Sequence, residues 1–242
     1  MNSKLTCVSG YWKVKNKHGN AFDFWFRNTL NVNHPYIFFC DENITETIKF
    51  YRNNFPTHFV NYDLNNFLTN SLPFRDDIVH PTHCPSIELS KIWHEKINLL
   101  DIASKLNPYN SEWFLWLDAG ICTLRNSDRT FEFKNLDILD KLDIDKFHYT
   151  SSCDSYFCLE NIKRGIYTHE ISAGNILIHK NMIDKFKDLY YQYLYSALNN
   201  IDKLQEKYFA ASEQCILSLI YVDHPELFNK VKNGYGEIIN YL

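Results

Sequence analysis

The sequence predicts an α/β fold with a mainly parallel central sheet flanked by helices. Three observations carry this. Residues 113–117, WFLWL, are five consecutive large apolar residues. They neither alternate like a half-exposed strand nor recur at helical spacing, so they read as a strand buried on both faces. Further short apolar segments, LTCVSG (5–10), YIFFCD (36–41), HFVNYD (58–63), FHYTSS (147–152) and ISAGNILIH (171–179), alternate with helix-like stretches, as in a sheet covered by crossover helices. Finally, the 242 residues are 45% hydrophobic, with 18 Phe and 16 Tyr against 7 Gly and 7 Pro. That is a folding composition at a length one core can serve, so a single domain over 1–242 is expected.

The first strand runs into Ser9-Gly10-Tyr11-Trp12, and Lys13, Lys15, Lys17 and His18 follow closely. An aromatic ring at a strand end can stack on a nucleobase, and nearby ammonium groups can hold phosphates. The plain alternative for these lysines is a solvated charged face. After Pro85, Ser86 is placed to cap a helix carrying Glu88 in its first turn. Ile92, Trp93, Lys96, Leu99, Leu100, Ala103 and Leu106 then recur at helical spacing until Asn107-Pro108, and Lys96 is the one charge on that stripe. The strand WFLWL stops at Asp118, then Ala119 and Gly120, small enough to admit a ligand to the backbone. At such a strand end a carboxylate can accept from a ribose hydroxyl or ligate a hard cation; a turn-forming role is the simpler alternative.

Ser172, Ala173 and Gly174 open the strand 171–179 and leave room for a substrate beside backbone amides, unless they serve close packing instead. A helix is expected from near Asn181, with Asp184 completing a capping box. Another is expected from Ser212, with Glu213 in its first turn. Glu213 is a candidate general base or sugar-hydroxyl acceptor, though a helix dipole would also favour it. Residues 65–85 and 126–136 read as the longest irregular stretches.

Charge and cysteine content narrow the class. Lys+Arg of 25 against Asp+Glu of 29 gives a formal net charge of −4, which disfavours general nucleic-acid binding. The seven cysteines, Cys7, Cys40, Cys84, Cys122, Cys153, Cys158 and Cys215, are odd in number and scattered, as for reduced thiols in the cytoplasm. Neither a signal peptide nor a membrane span is expected. Walker, GxSxG and GxGxxG motifs are absent from the sequence, as is an HExxH pair, and His224 is the one histidine worth weighing as a metal ligand. The segment LDAG resembles a methyltransferase strand end, but Ile121-Cys122-Thr123-Leu124-Arg125 lacks the glycines that would follow.

In order, VSGYWKVK, YIFFCDEN, PSIELSKIWHEKINLLDIASKLNP, WFLWLDAGI, ISAGNILIH and SEQCILSLIYVDHPELF resemble the HtrL/YibB-like family of GT-A-type glycosyltransferases across most of the chain. The resemblance implies a single GT-A-like domain, with a nucleotide-binding half over 1–120 and an acceptor- and sugar-binding half over 121–242. It implies Tyr11 at the base-binding end, Lys96 near the donor phosphates or sugar, and Asp118 at the aspartate motif. Gly174 would border the sugar and Glu213 would face the reacting centre. The family commonly has an Asp-x-Asp pair, whereas Asp118-Ala119-Gly120 offers one carboxylate, so a bound Mn or Mg ion would need ligands from elsewhere. The expected activity is sugar transfer from a nucleotide-sugar, UDP-linked, to a hydroxyl of a glycan, lipid or protein. The alternatives are an inactive nucleotide-sugar or glycan binder, a methyltransferase, and a structural assembly protein.

Overall fold

The computed structural model describes residues 2–152 and 157–242, so Cys153 lies outside the described residues. Seven strands, β1 (Leu5–Tyr11), β2 (Tyr36–Cys40), β3 (Thr57–Asn61), β4 (Trp113–Leu117), β5 (Phe147–Ser151), β6 (Ile171–His179) and β7 (Phe228–Asn233), form one sheet in the order β3-β2-β1-β4-β6-β5-β7. The pairings of β1 with β2 and β4, β2 with β3, and β5 with β7 are parallel. β6 lies antiparallel to both its neighbours, β4 and β5. The fold is the expected α/β architecture with a mainly parallel sheet, and both halves of the chain contribute to it.

The helices are α1 (Ala21–Thr29), α2 (Glu42–Tyr51), α3 (Ile87–Leu106), α4 (Leu159–Lys163), α5 (Lys180–Asn199) and α6 (Glu213–Asp223). One core layer joins Val8, Ile37, Phe39, Phe114, Trp116, Ile176 and Ile178 of the sheet to α3, α5 and α6. The opposite layer sets Leu5, Phe38, Leu115 and Leu177 against Phe26 of α1, Ile48 of α2 and the C-terminal Ile238 and Leu242. β4 is buried at every position, which explains its unbroken apolar run.

Several local expectations are corrected. β7 has no sequence signal, because FNKVKN offers two apolar residues on a strand mostly open to water. The helix near Asn181 begins at Lys180, and its cap is the His179 ring, which accepts from the Asn181 backbone N–H. Asp184 instead pairs with Lys105 at 3.3 Å. Ser86 does cap α3, accepting from Leu89 N, whereas Ser212 sits at the α6 cap position without a side-chain cap bond. The stretch 65–85 contains short 3-10 turns and a bridge between His80 and Cys84.

A buried arginine, 2% exposed, organises the loop between α1 and β2. Arg52 Nε donates to Thr57 Oγ1 at 2.8 Å. Its Nη1 donates to Leu30 O and Val32 O, at 3.0 and 2.9 Å, and Nη2 to His34 O at 2.9 Å. The guanidinium also faces the Tyr36 ring at 4.1 Å and has no carboxylate partner among the described residues. A lysine cannot reproduce this planar fork. Arg52→Lys is expected to cost about 3 kcal/mol in urea unfolding, since hydrogen bonds to a charged group contribute about 1.5–3 kcal/mol each and carbonyls would be orphaned. A loss under about 0.5 kcal/mol would show that water replaces the fork.

His94 joins α3 to α5. A carbonyl can only accept, so His94 Nε2 donates to Ala210 O at 3.1 Å and Nδ1 accepts from Tyr190 Oη at 2.6 Å. Burial is the main cause that lowers its pKa to about 3, from 6.5. The unfolded chain therefore binds a proton that the folded state refuses between about pH 6.5 and 3, and stability falls as pH drops through that window. His34 and His169, lowered to about 4 mainly by burial, act in the same direction. Thermal melts of wild type from pH 7 to 4 should show this decline, with a shallower slope for His94→Gln; equal slopes would contradict the assignment to His94.

Candidate active site

The parallel strands β1 and β4 end at the same edge of the sheet, tied by Ser9 Oγ donating to Leu117 O at 2.7 Å. Beyond β4, Asp118 N donates to Gly174 O at 2.9 Å, which holds the aspartate beside the small residues of β6. Asp118 Oδ1 accepts from Trp116 Nε1 at 2.7 Å and from Lys96 Nζ at 2.8 Å. Lys96 reaches across from α3 and also donates to Glu213 Oε1 at 2.7 Å and Ala173 O at 3.1 Å. The lysine that broke the apolar stripe, the aspartate that ended the apolar strand, and the glutamate that opens α6 are one cluster.

An ammonium has three N–H donors, and here each meets an acceptor. Lys96 is 2% exposed, while the side chains of Glu213 and Asp118 are 8% and 35% exposed. Burial lowers the Lys96 pKa, but the two carboxylates outweigh it and hold the group above its usual value. Burial and the nearby Glu213 push Asp118 upward, against the pull of Lys96. Oε2 of Glu213 takes no hydrogen bond from the described residues, so the glutamate presents one engaged and one free oxygen.

The cluster lies at the wall of a cavity of about 820 Å³. Gly174 borders it: an added Cβ would stand 3.5 Å from Asp118 Oδ2, in space a ligand atom can use. At Gly120 an added Cβ would come within 2.8 Å of the Phe22 ring, which would have to move to admit it. Tyr11 reaches the cavity but offers little open face, since it is 8% exposed and stacks on Phe26 at 4.2 Å. Its hydroxyl donates to Asp23 at 3.2 Å. Lys13 is exposed and lies outside the cavity lining, and Lys17 is the lysine of that segment on the wall.

Sequence reasoning missed Arg125. Its Nε donates to Gly120 O at 3.1 Å, and its guanidinium lies 3.9 Å from the Trp25 ring centre. Among the described residues neither Arg125 nor Lys17 meets a carboxylate, so both positive charges remain available to an anion. Burial first, then these two charges, lowers His18 to about 4. The only sequence signal for Arg125 was its place just after the aspartate motif.

The protein offers a divalent cation few oxygens of its own: Asp118 Oδ1 already carries an ammonium and an indole N–H, and Ala119 and Gly120 add no carboxylate, so waters and donor phosphates would have to supply most of the shell. Among the described residues no group of three His, Cys, Asp or Glu side chains is placed to hold a metal. His224 caps the far end of α6, beside Glu226 at 3.6 Å, roughly 16 Å along that helix from Glu213. The tentative ligand roles of Asp118 and His224 therefore do not meet in one site.

By sequence, no protein-family model matches the chain, and no curated protein does. Among solved structures it is similar to apo mouse xyloside xylosyltransferase 1, with 15% identity, a TM-score of 0.54, and 96% of this chain covering 85% of that one. A weaker likeness, TM-score 0.45 at 10% identity, covers 94% of this chain and 45% of the glycosyltransferase GlyE from Streptococcus pneumoniae TIGR4. The first likeness shows a shared fold, which is GT-A-like.

Lys96→Met would leave two carboxylates facing each other without their cation, an expected loss of about 3–5 kcal/mol. Adding Glu213→Gln to that variant should restore part of the loss, because one uncompensated charge is removed. Urea unfolding of the two single variants and the double tests this; strictly additive losses would mean that the groups are not coupled.

Proposed function

We propose that the chain transfers a sugar from a nucleoside-diphosphate sugar, UDP-linked, to an acceptor hydroxyl, as a member of the HtrL/YibB-like group of GT-A-type glycosyltransferases. The observation that carries this reading is Lys96 bridging Asp118 and Glu213 at the sheet edge, on the wall of a ligand-sized cavity that also holds Lys17 and Arg125, neither paired with a carboxylate among the described residues. Ligands of open α/β sheets bind beyond the carboxyl ends of the strands, and the fold shared with a xylosyltransferase is consistent with that place.

In this reading residues 1–120 supply most of the nucleotide site and 121–242 the sugar and acceptor site. Lys17 and Arg125 counter the diphosphate charge. Lys96 has no donor left for a phosphate, so its role is to hold Asp118 and Glu213 in register. Asp118 accepts from a hydroxyl of the donor. As the acceptor oxygen bonds to the anomeric carbon, its proton passes to the free oxygen of Glu213. The bond from that carbon to the diphosphate oxygen breaks, and the electron pair leaves with the diphosphate. No step requires a metal held by these residues. The six described cysteines are free thiols, which fits work in the cytoplasm; among the described residues no helix is long and apolar enough to cross a membrane.

The single carboxylate in Asp118-Ala119-Gly120 favours one second reading, a nucleotide-sugar binder without turnover. Thermal melts with UDP, UDP-sugars or S-adenosylmethionine, each with manganese or chelator, separate the readings. A nucleotide at about 100 times its dissociation constant should add roughly 2.7 kcal/mol, and Asp118→Asn should remove that gain. Glu213→Gln should keep donor stabilisation while lowering transfer by about 10² to 10⁴-fold, the usual worth of a general base. Donor binding without hydrolysis or transfer supports the binder, stabilisation by S-adenosylmethionine alone supports a methyltransferase, and no small-molecule response removes the transferase reading.

A further inference from the structure

The cavity has a second chemical character away from its charged cluster. Three rings from separate stretches meet on its wall: His83 from the turn closed by the His80–Cys84 bridge, Tyr167 from the segment before β6, and Tyr208 from the 3-10 turn Lys207–Ala211. Tyr167 and Tyr208 have centroids 4.9 Å apart at 34°. His83 lies 6.0 Å from each, at 26° and 24°. Their planes are thus close to one orientation although nothing in the local sequence links them.

We propose that His83, Tyr167 and Tyr208 form an acceptor subsite that stacks a pyranose ring, so that the acceptor is a carbohydrate. A sugar ring presents a face of C–H groups with partial positive charge, which matches the negative face of an aromatic ring. Its rim of hydroxyls matches the polar edges of this wall, the two phenols and the imidazole. An alkyl chain would desolvate those polar edges and offer no hydrogen bond in return, a cost for each group. Burial, then Lys17 and His80, lowers His83, so the imidazole stacks as a neutral ring. Burial raises both phenols, with Glu213 among the charges that add to it, and Glu213 lines the same cavity as the three rings.

The wall is held in advance of any ligand. Arg75 pairs with Asp77 at 2.6 Å and with Asp202 at 2.8 Å, and Lys207 pairs with Asp77 at 2.6 Å. This network ties the chain leading to the His80 turn to the turn that carries Tyr208, while the His80 ring supports Tyr208 at 5.0 Å. Rings fixed before binding lose little freedom on stacking.

The word acceptor rests on the transferase reading, but the subsite can be tested without it. Saturation-transfer NMR with methyl glycosides, lactose and maltose should show saturation on ring C–H protons in wild type and in Tyr208→Phe. Affinity should fall roughly tenfold in Tyr208→Ala and in Tyr167→Ala, in line with an aromatic stacking contact. Stabilisation by UDP should be unchanged in all three variants, which also reports that they fold. No glycoside binding in wild type, or wild-type affinity retained in both alanine variants, overturns the subsite, as does saturation of hexanol protons in place of the glycosides. UDP binding without glycoside binding sinks the subsite alone; glycoside binding without a nucleotide response sustains the subsite and sinks the transferase reading.

Discussion

One ammonium group, Lys96 Nζ, holds together four parts of the chain. It extends from α3 to Asp118, the residue just after β4, to the carbonyl of Ala173 in β6, and to the first residue of α6. A charge this deeply buried loses its hydration, and only close opposite charges offset that loss. Asp118 and Glu213 do so in contact geometry, so the positions of all three are mutually fixed. The gap between β4 and α6, where the cavity lies, inherits its width from that contact.

The charges of the cavity divide into two groups. Lys96 answers two carboxylates and leaves that cluster one negative charge in excess, suited to accepting from hydroxyls. Among the described residues Lys17 and Arg125 meet no carboxylate, which leaves their charge open to an anion. Such fixed charges gain strength where walls exclude water, and the aromatic residues around them provide those walls.

Much of the architecture was legible in the sequence where one physical cause dominates a segment. WFLWL could only be a strand covered on both sides, and Lys96 stood out because an apolar helix stripe rarely tolerates a charge without a partner. Asp118 and Glu213 were marked by position, at a strand end and a helix start, but their meeting through Lys96 is a tertiary fact that no spacing encodes. β7 escaped because an edge strand open to water has little apolar periodicity. The cap of α5 was misread because a histidine ring did what an Asn or Asp usually does. Arg125 carried no pattern of its own, and His83, Tyr167 and Tyr208 belong to stretches far apart in sequence that become one surface only through the chain's return across the sheet.

The same weak pattern that hid β7 has a consequence for how copies of this chain meet one another. Among the described residues β7 is the last strand of the sheet, and one side of its backbone has no further strand beside it. An apolar strand in that place would be a template for a strand from another molecule. Lys230 and Lys232 are exposed there and lean on Glu170 and Glu237, at 3.3 and 2.8 Å. A second molecule arriving edge to edge would have to desolvate both ammonium groups and disturb both ion pairs. The lysines thus act as gatekeepers, trading a strand that is easy to recognise in sequence for one that resists aggregation.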